Sequence, residues 1–453
     1  MDVIVVGAGA AGSAAALRAA DGPGRVLVLE RDPRYLDNSN TARSTGMVPA
    51  AGSALQRRAG VEDDPERMLA DIMAKTGGSA DRELARALCG ASARLVDTMA
   101  EAWDAPLELV RDFRYPGHSA DRMHAPPDRK GRTWLEVLAA RLKARPNVDV
   151  ALGAAVTDVR PSPDGSGYRV RVGDSGEEVT CRCLILATNG FGADPAMVAE
   201  HLPEISRAVY FGGPFSDGSG IRWGMAMGAD TAFMDAYQGH GSIAPDAGTL
   251  VSWAVIVGGG FLLNARGERF CDESHGYSET ALPVLAQPGG WVYDVFDEEL
   301  RQEALRFADF RETDAMGVVG RAEDEGALAS RLGVPPDALA ATLEEIAACV
   351  RTGRPDRFGR RFARTLRPPY RFVRVTGALF HTQGGLRVDG KARVLRPDGV
   401  PIPGLYAAGG TAHGISGRGA SGYLAGNGLL AALGLGLLAG EGAAARLAGA
   451  ADA

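Results

Sequence analysis

Residues Val3–Val6 form an apolar run that stops at Gly7. An alanine-rich stretch follows to about Ala20, and a second apolar run, Val26–Leu29, ends at Glu30. Two short buried runs joined by a glycine turn and a helix of small residues predict a strand–turn–helix–strand unit, which builds a parallel sheet with crossover helices. Ser53 to Lys143 reads mostly helical, with amphipathic periodicity over Glu83–Glu101. Val148–Val159 and Tyr168–Val172 predict hairpin strands around Pro163-Asp164-Gly165-Ser166-Gly167, and Leu184–Ala187 predicts a buried strand ending at Thr188-Asn189-Gly190. From about Phe211 to Ala363 the pattern changes to short strands, glycine-rich turns and a helical pair across Glu323–Arg351. After Pro368-Pro369 the first style returns, with Leu405–Ala408 as a core strand and a long apolar helix after Gly422.

The first turn reads Gly7-Ala8-Gly9-Ala10-Ala11-Gly12, directly after an apolar strand and at the head of a helix. Gly7 allows the tight turn, Gly9 lets the backbone approach a pyrophosphate, and Gly12 lets helix and strand pack closely. Glu30, at the end of the next strand, is placed to accept ribose hydroxyls. The pyrophosphate would lie on the helix N-terminus, where free N–H groups favour an anion. The expected fold is therefore α/β. A Rossmann-like dinucleotide domain is split into 1–210 and 366–453, with an inserted α+β domain at 211–365.

Composition narrows the class. A net charge of −7 over 453 residues gives no basic surface for nucleic acid or an anionic membrane. Cys89, Cys181, Cys183, Cys271 and Cys349 make no CxxC or four-cysteine spacing, which argues against zinc, haem and iron–sulfur sites and suits a reducing cytoplasm. Cys181 and Cys183 read as packing residues on one face of a strand. A strand starting at Val3 leaves no room for a signal peptide. The uncharged stretch Gly419–Gly440 reads as a buried helix, since it follows a cofactor-domain turn and has no flanking basic pair.

Further motifs run in order along the chain. They are Asn40-Thr41-Ala42-Arg43-Ser44-Thr45-Gly46, Leu262 to Phe270 followed by Asp272-Glu273, Phe380-His381-Thr382-Gln383-Gly384-Gly385-Leu386, and Gly422-Tyr423-Leu424-Ala425-Gly426-Asn427-Gly428. Together with the glycine turn, Leu184–Gly190 and Gly404–Gly409, this series resembles the fumarate reductase/succinate dehydrogenase flavoprotein family. The resemblance implies FAD, and the Asn40–Gly46 loop lacks the histidine through which covalent members attach it. For the cofactor it implies Gly7, Gly9, Ala11, Gly12, Glu30, Arg31, Asn40, Thr41, Ser44, Thr45 and Gly46. It adds Val156, Ala187, Thr188, Asn189, Gly190, Gly409, Ala420 and Leu424. It also implies that the inserted α+β domain is a capping domain, with substrate between cap and isoalloxazine and hydride exchange between flavin N5 and a carbon beside an activating carbonyl. A second glycine motif for NAD(P)H is missing, so the expected electron partner is a diffusible acceptor.

The departures from that family carry the substrate question. Its fumarate reducers place a proton-donating arginine four residues after the glutamate, where this chain has Tyr277. Their glutamate–arginine relay falls on Trp253 and Ile256, and their C-terminal carboxylate-binding arginine on Tyr423. A tyrosine at 277 resembles instead the 3-ketosteroid dehydrogenase branch, in which a tyrosine removes a proton alpha to a ketone. Gly422 matches that branch's backbone donor to the carbonyl oxygen, while its usual tyrosine four residues earlier is Arg418 here. Tyr115-Pro116-Gly117-His118 resembles its tyrosine-bearing segment. Two readings stand. One is dehydrogenation of a cyclic ketone by Tyr277, with Tyr115 and His240 as other candidate bases. The other is reduction of a small unsaturated carboxylate, with His240, His381 and Arg418 as anion binders.

Overall fold

A computed structural model describes residues 1–173 and 176–449. The chain divides into two compact units, one made of Met1–Pro203, Gly212–Gln238 and His381–Ala453, the other of Glu204–Phe211 and Gly239–Phe380.

The first unit is built on a six-stranded sheet in the order Arg393–Leu395, Pro401–Ala407, Cys183–Leu186, Val3–Val6, Val26–Glu30, Val148–Leu152. All neighbours are parallel except the first pair, and Val5 lies between Ile185 and Val28. Every residue of Val3–Val6 and Cys183–Leu186 is buried, as a sheet covered on both faces requires. Helix Ala10–Ala19 packs along helix Asn427–Leu447 at backbone distance. A Cβ on Gly436 would stand 2.3 Å from the Ala11 carbonyl oxygen, and one on Gly440 2.4 Å from that of Ala15. Among the described residues Asn427–Leu447 is the one helix long and apolar enough to cross a membrane, and 56% of its most apolar window is buried within the protein.

The run Val148–Val159 divides differently from its expected hairpin. Gly153, at φ +72°, breaks it, so that Val148–Leu152 joins the parallel sheet and only Val156–Pro161 pairs with Tyr168–Val172. Cys181 and Cys183 do not share one strand: they end Glu177–Cys181 and begin Cys183–Leu186, in different sheets, and both are buried.

The second unit carries a seven-stranded sheet around the long strand Tyr370–Thr382, which pairs with Trp291–Asp297, Gly320–Ala322 and Val209–Tyr210. Its boundaries differ from the expected 211 and 365. Residues 212–238 stay with the first unit, where Thr231–Ala232 pairs with Gly385–Leu386, and the second unit keeps Tyr370–Phe380 as the body of its central strand.

Asp294 lies at the heart of this sheet with no exposure. Its Oδ2 accepts the Ser242 hydroxyl at 3.1 Å, while Oδ1 has no partner. Burial, reinforced by the Glu273 charge and opposed by Ser242 and Arg360, lifts its carboxyl to about 8. The folded state therefore holds a proton that the unfolded chain, with an aspartate pKa of about 3.9, has lost. That contribution to stability is present at low pH and is lost as pH rises through this window. The protein should melt at lower temperature at pH 8 than at pH 5. Asp294→Asn, neutral throughout, should remove at least about 2 °C of that difference, the shift that roughly 1 kcal/mol produces in a large domain. An unchanged difference in the variant would refute the assignment.

Candidate active site

In the first unit the glycine turn is shaped by close backbone approach. A Cβ on Gly7, at φ +105°, would stand 2.3 Å from the Ala187 carbonyl oxygen, and one on Gly12 1.8 Å from that of Gly7. At Gly9 the nearest atom to such a Cβ is Thr41 Oγ1 at 3.7 Å, so this face is left open. The Ala11 and Gly12 N–H groups head the helix, where peptide donors lack intrahelical acceptors. Glu30 braces the turn: Oε2 accepts the Ala8 N–H at 2.7 Å and Oε1 that of Asp32 at 2.8 Å. Burial raises its pKa against those two bonds.

Thr41 Oγ1 accepts the Ala10 N–H at 3.1 Å and so joins the 40–46 loop to the glycine turn. Ser44 Oγ donates to the Thr41 carbonyl and accepts from Gly46 N–H, and Gly46 sits at φ +66° against Gly131. Asn189 is also left-handed, at φ +69°, and Thr188 Oγ1 lies 3.2 Å from Thr411 Oγ1. At the start of the C-terminal helix, Asn427 is fully buried with neither side-chain polar atom partnered. An open glycine face, a helix N-terminus and an orphaned buried amide fit a bound dinucleotide with a polar ring edge.

The same unit holds His381 and Tyr423, ring centroids 5.6 Å apart and edge-on, both beside Gly428. Burial, opposed by the Thr382 carbonyl, lowers His381 to about 4, and burial pushes the Tyr423 phenol above its usual range. Both are neutral. Gly422 precedes Tyr423 in a turn where a Cβ would stand 1.9 Å from the Ser416 carbonyl oxygen. His118 is buried, with Nε2 2.9 Å from the Ala425 carbonyl oxygen, while Tyr115 stands edge-on to Phe113. Arg418 is largely exposed and paired with Asp235 at 3.0 Å, its guanidinium 5.7 Å from the Phe233 ring centre. Arg31 pairs with Asp217 at 2.6 Å.

In the second unit Tyr277 opens helix Tyr277–Leu285, next to Gly276 at φ +137°. Its ring stacks on His240 at 4.8 Å and 17°, and the other face of the stack is Phe380, 5.1 Å from His240. Trp253 stands edge-on to both His240 and Tyr277. His240 Nδ1 accepts the Ser242 N–H at 3.1 Å, which puts the ring proton on Nε2. Burial lowers its pKa to about 3, so His240 is a neutral donor.

In the same unit Glu273 is fully buried between Arg269 and Arg360. Burial would raise its pKa, but the two guanidinium charges hold it low. Arg360 also donates to the Ile256 and Gly260 carbonyls at 2.7 and 2.8 Å, and Arg269 also binds Asp356. These cations are consumed in fixing the segment that delivers Tyr277.

Residues 2–429 match the family described as the FAD binding domain. The NADH:fumarate oxidoreductase of Klebsiella pneumoniae (strain 342) is 32% identical over 458 aligned residues, 99% of this chain and 48% of that protein. The chain thus spans about half the length of that relative. The structure of the open conformation of a flavocytochrome c3 fumarate reductase superposes with TM-score 0.82 at 27% identity, over 98% of this chain and 78% of that one. The chain belongs to the fumarate reductase/succinate dehydrogenase flavoprotein family. It is an FAD-dependent oxidoreductase of that family. Two further relatives of this flavoprotein bear on the ketone question. The 3-ketosteroid-Δ4-(5α)-dehydrogenase of Rhodococcus jostii RHA1 superposes with TM-score 0.77 at 26% identity, over 98% and 96% of the two chains. The 4-oxocyclohexanecarboxylate 2-dehydrogenase of Sinomonas cyclohexanicum is 27% identical over 94% of this chain and 92% of its own.

Sequence reasoning named Tyr277 and His240 separately, and the structure stacks them. It did not single out Gln383, Ser416 or Asn427. All three lie in or beside motifs already quoted, and a glutamine two residues from His381 was the available signal. For the flavoprotein's cofactor one outcome follows from the loop 40–46, which has no histidine. Acid precipitation of the yellow protein should release all flavin into solution, and colour retained on the pellet would show a covalent link.

Proposed function

We propose that this flavoprotein dehydrogenates a cyclic ketone next to its carbonyl, with Tyr277, as its phenolate, taking the alpha proton and becoming the neutral phenol. The observation that carries this reading is the Tyr277–His240–Phe380 stack, a tyrosine on a neutral imidazole at the place where fumarate reducers need charged proton carriers. FAD, when bound, would supply the acceptor for a hydride from the beta carbon, and the substrate, losing one proton and one hydride, would gain a double bond. A ketone acidifies its alpha C–H only modestly, so the carbonyl oxygen must be polarised while the base acts. Gly422 N–H, His381 and Tyr423, all of the first unit, are the donors assigned to that oxygen. The second unit is assigned as the cap, and a diffusible acceptor such as a quinone or dye takes the electrons onward. Few, scattered cysteines suit a reducing, cytoplasmic setting.

The carboxylate reading loses support on the same geometry. His240 and His381 are neutral, and the Arg418 charge is already met by Asp235. The names of the Rhodococcus and Sinomonas relatives support a ketone, and the latter supports a single ring.

Anaerobic mixing with cyclic ketones, following loss of the oxidised flavin band, tests the proposal. With the substrate so found, Tyr277→Phe should keep its flavin and lower the rate of flavin reduction by roughly 10²–10⁴, the usual worth of a positioned base. Binding should weaken far less, since the proton moves only in the transition state. A variant as fast as the parent would remove Tyr277 from the chemistry. Fumarate should reoxidise the dithionite-reduced protein poorly or not at all. Turnover in the range of roughly 1–1000 per second would favour the carboxylate reading instead.

A further inference from the structure

We infer that Gln383, anchored by Ser416, is a positioning residue that fixes the tautomer of His381, so that the ring offers an Nε2–H to the substrate oxygen. The clause about the substrate oxygen rests on the ketone reading, whereas the tautomer stands on the geometry alone. Gln383 Nε2 lies 2.8 Å from His381 Nδ1, and Gln383 Oε1 accepts the Ser416 hydroxyl at 2.9 Å. The amide is thus aligned with its NH₂ toward the histidine.

Its backbone is clamped on both sides. Gln383 N–H donates to the Ala236 carbonyl at 2.8 Å, and Gly414 N–H donates to the Gln383 carbonyl at 2.7 Å. Gly414 is needed for this fit, since a Cβ there would stand 2.7 Å from Gln383 Oε1. Gln383 and Ser416 are both buried, so neither trades its bond for water.

An imidazole nitrogen that accepts a hydrogen bond carries no proton, so the proton of the neutral ring sits on Nε2. That atom faces the Gly428 and Tyr423 side, where a Cβ on Gly428 would lie 3.1 Å from it. The competing arrangement is also on hand: the Thr382 carbonyl lies 3.4 Å from Nδ1 and would take a proton placed there. Gln383, the shorter contact, decides between the two. Within its unit the titratable side chain packed against the ring is Tyr423, which is neutral, and the ring's own pKa is lowered to about 4 by burial. The hydrogen-bond partner therefore sets the tautomer, and ionisation plays no part in it.

The test uses FAD holoenzyme labelled with ¹⁵N-histidine, with the His381 signals identified by their loss in His381→Asn. The parent should show a protonated Nε2 and an unprotonated Nδ1 across neutral pH. Gln383→Met keeps the length without a donor, so the proton should move toward Nδ1 and the Thr382 carbonyl. Its kcat/KM should fall about 10–100-fold, the usual cost of removing an outer hydrogen bond that orients a functional histidine, with kcat falling more than KM rises.

Gln383→Glu places an acceptor opposite Nδ1 and holds a proton there. At low pH the ring is then an imidazolium that still presents Nε2–H. As pH rises through its raised pKa that proton is lost, and activity should fall in a way the parent does not show. A parent protonated on Nδ1, a methionine variant that keeps the proton on Nε2, or a glutamate variant with the parent's pH profile would each overturn the assignment. A tautomer that moves without loss of kcat/KM would overturn its role in the reaction. Ser416→Ala loosens the same amide from its far side and serves if either glutamine variant loses its flavin. Because the nitrogen shifts are read without substrate, failure of the ketone screen leaves the tautomer result intact.

Discussion

The architecture of the first unit depends on how closely backbone can approach backbone around one small helix. Ala10–Ala19 has the sheet on one side and Asn427–Leu447 on the other, and glycines stand at both contacts. Gly12 meets the Gly7 carbonyl, while Gly436 and Gly440 meet the carbonyls of Ala11 and Ala15. A methyl group at any of these points would have to push helix or strand aside, and close-packed interiors absorb such shifts poorly. The same compactness puts the head of one helix beside the glycine turn and gives the other its long apolar run. What resembles a membrane span in composition is the cost of packing a helix at backbone distance.

The second unit reaches its site by a different device. Glu273 is fully buried between two guanidinium groups, and losing either partner would leave buried charge uncompensated, at a typical cost of about 3–5 kcal/mol. Such a cluster adds little net stability compared with apolar packing. It does define one geometry: Arg360 reaches the Ile256 and Gly260 carbonyls and Glu273 accepts the Leu262 N–H, which ties three separate segments together. Tyr277 begins its helix four residues after Glu273 and inherits that rigidity. The Arg-Phe-x-Asp-Glu segment, which reads in sequence as a substrate motif, is here a bracket for the aromatic stack.

Much of this was legible in the chain because period and glycine placement are local signals. The glycine turn, Glu30 and the helix–strand unit were visible since each needs a particular residue at a particular spacing. Tyr277 was visible as a departure from a register. The strand break at Gly153 was not, because a left-handed glycine inside an apolar run looks the same in sequence as a glycine that extends it. The unit boundaries were missed for a related reason: Tyr370–Thr382 is one continuous strand, and nothing in its composition marks where it changes unit. Arg418 shows the limit most clearly. Its position in the motif suggested a substrate cation, whereas its partner Asp235 lies 183 residues away in sequence, a pairing that only the fold supplies.

The neutral character of the candidate site follows from where the charges have been spent. Arg269 and Arg360 are committed to Glu273, and Arg418 to Asp235. In the second unit His240, too buried to ionise, stacks on Tyr277, and in the first unit His381, equally buried, stands edge-on to Tyr423. On the ketone reading such a set need not hold a dicarboxylate against water, a task that calls for a fixed positive charge to offset the lost hydration. It is well suited to an oxygen whose negative charge grows only during reaction. A neutral N–H binds a ketone weakly and an enolate-like oxygen strongly, so its contribution is felt mainly in the transition state. A full cation would stabilise an anionic ground state as well and would bring competing anions into the site. Burial of the histidines is therefore part of the chemistry on the ketone reading: it removes their charge and leaves their directional donors.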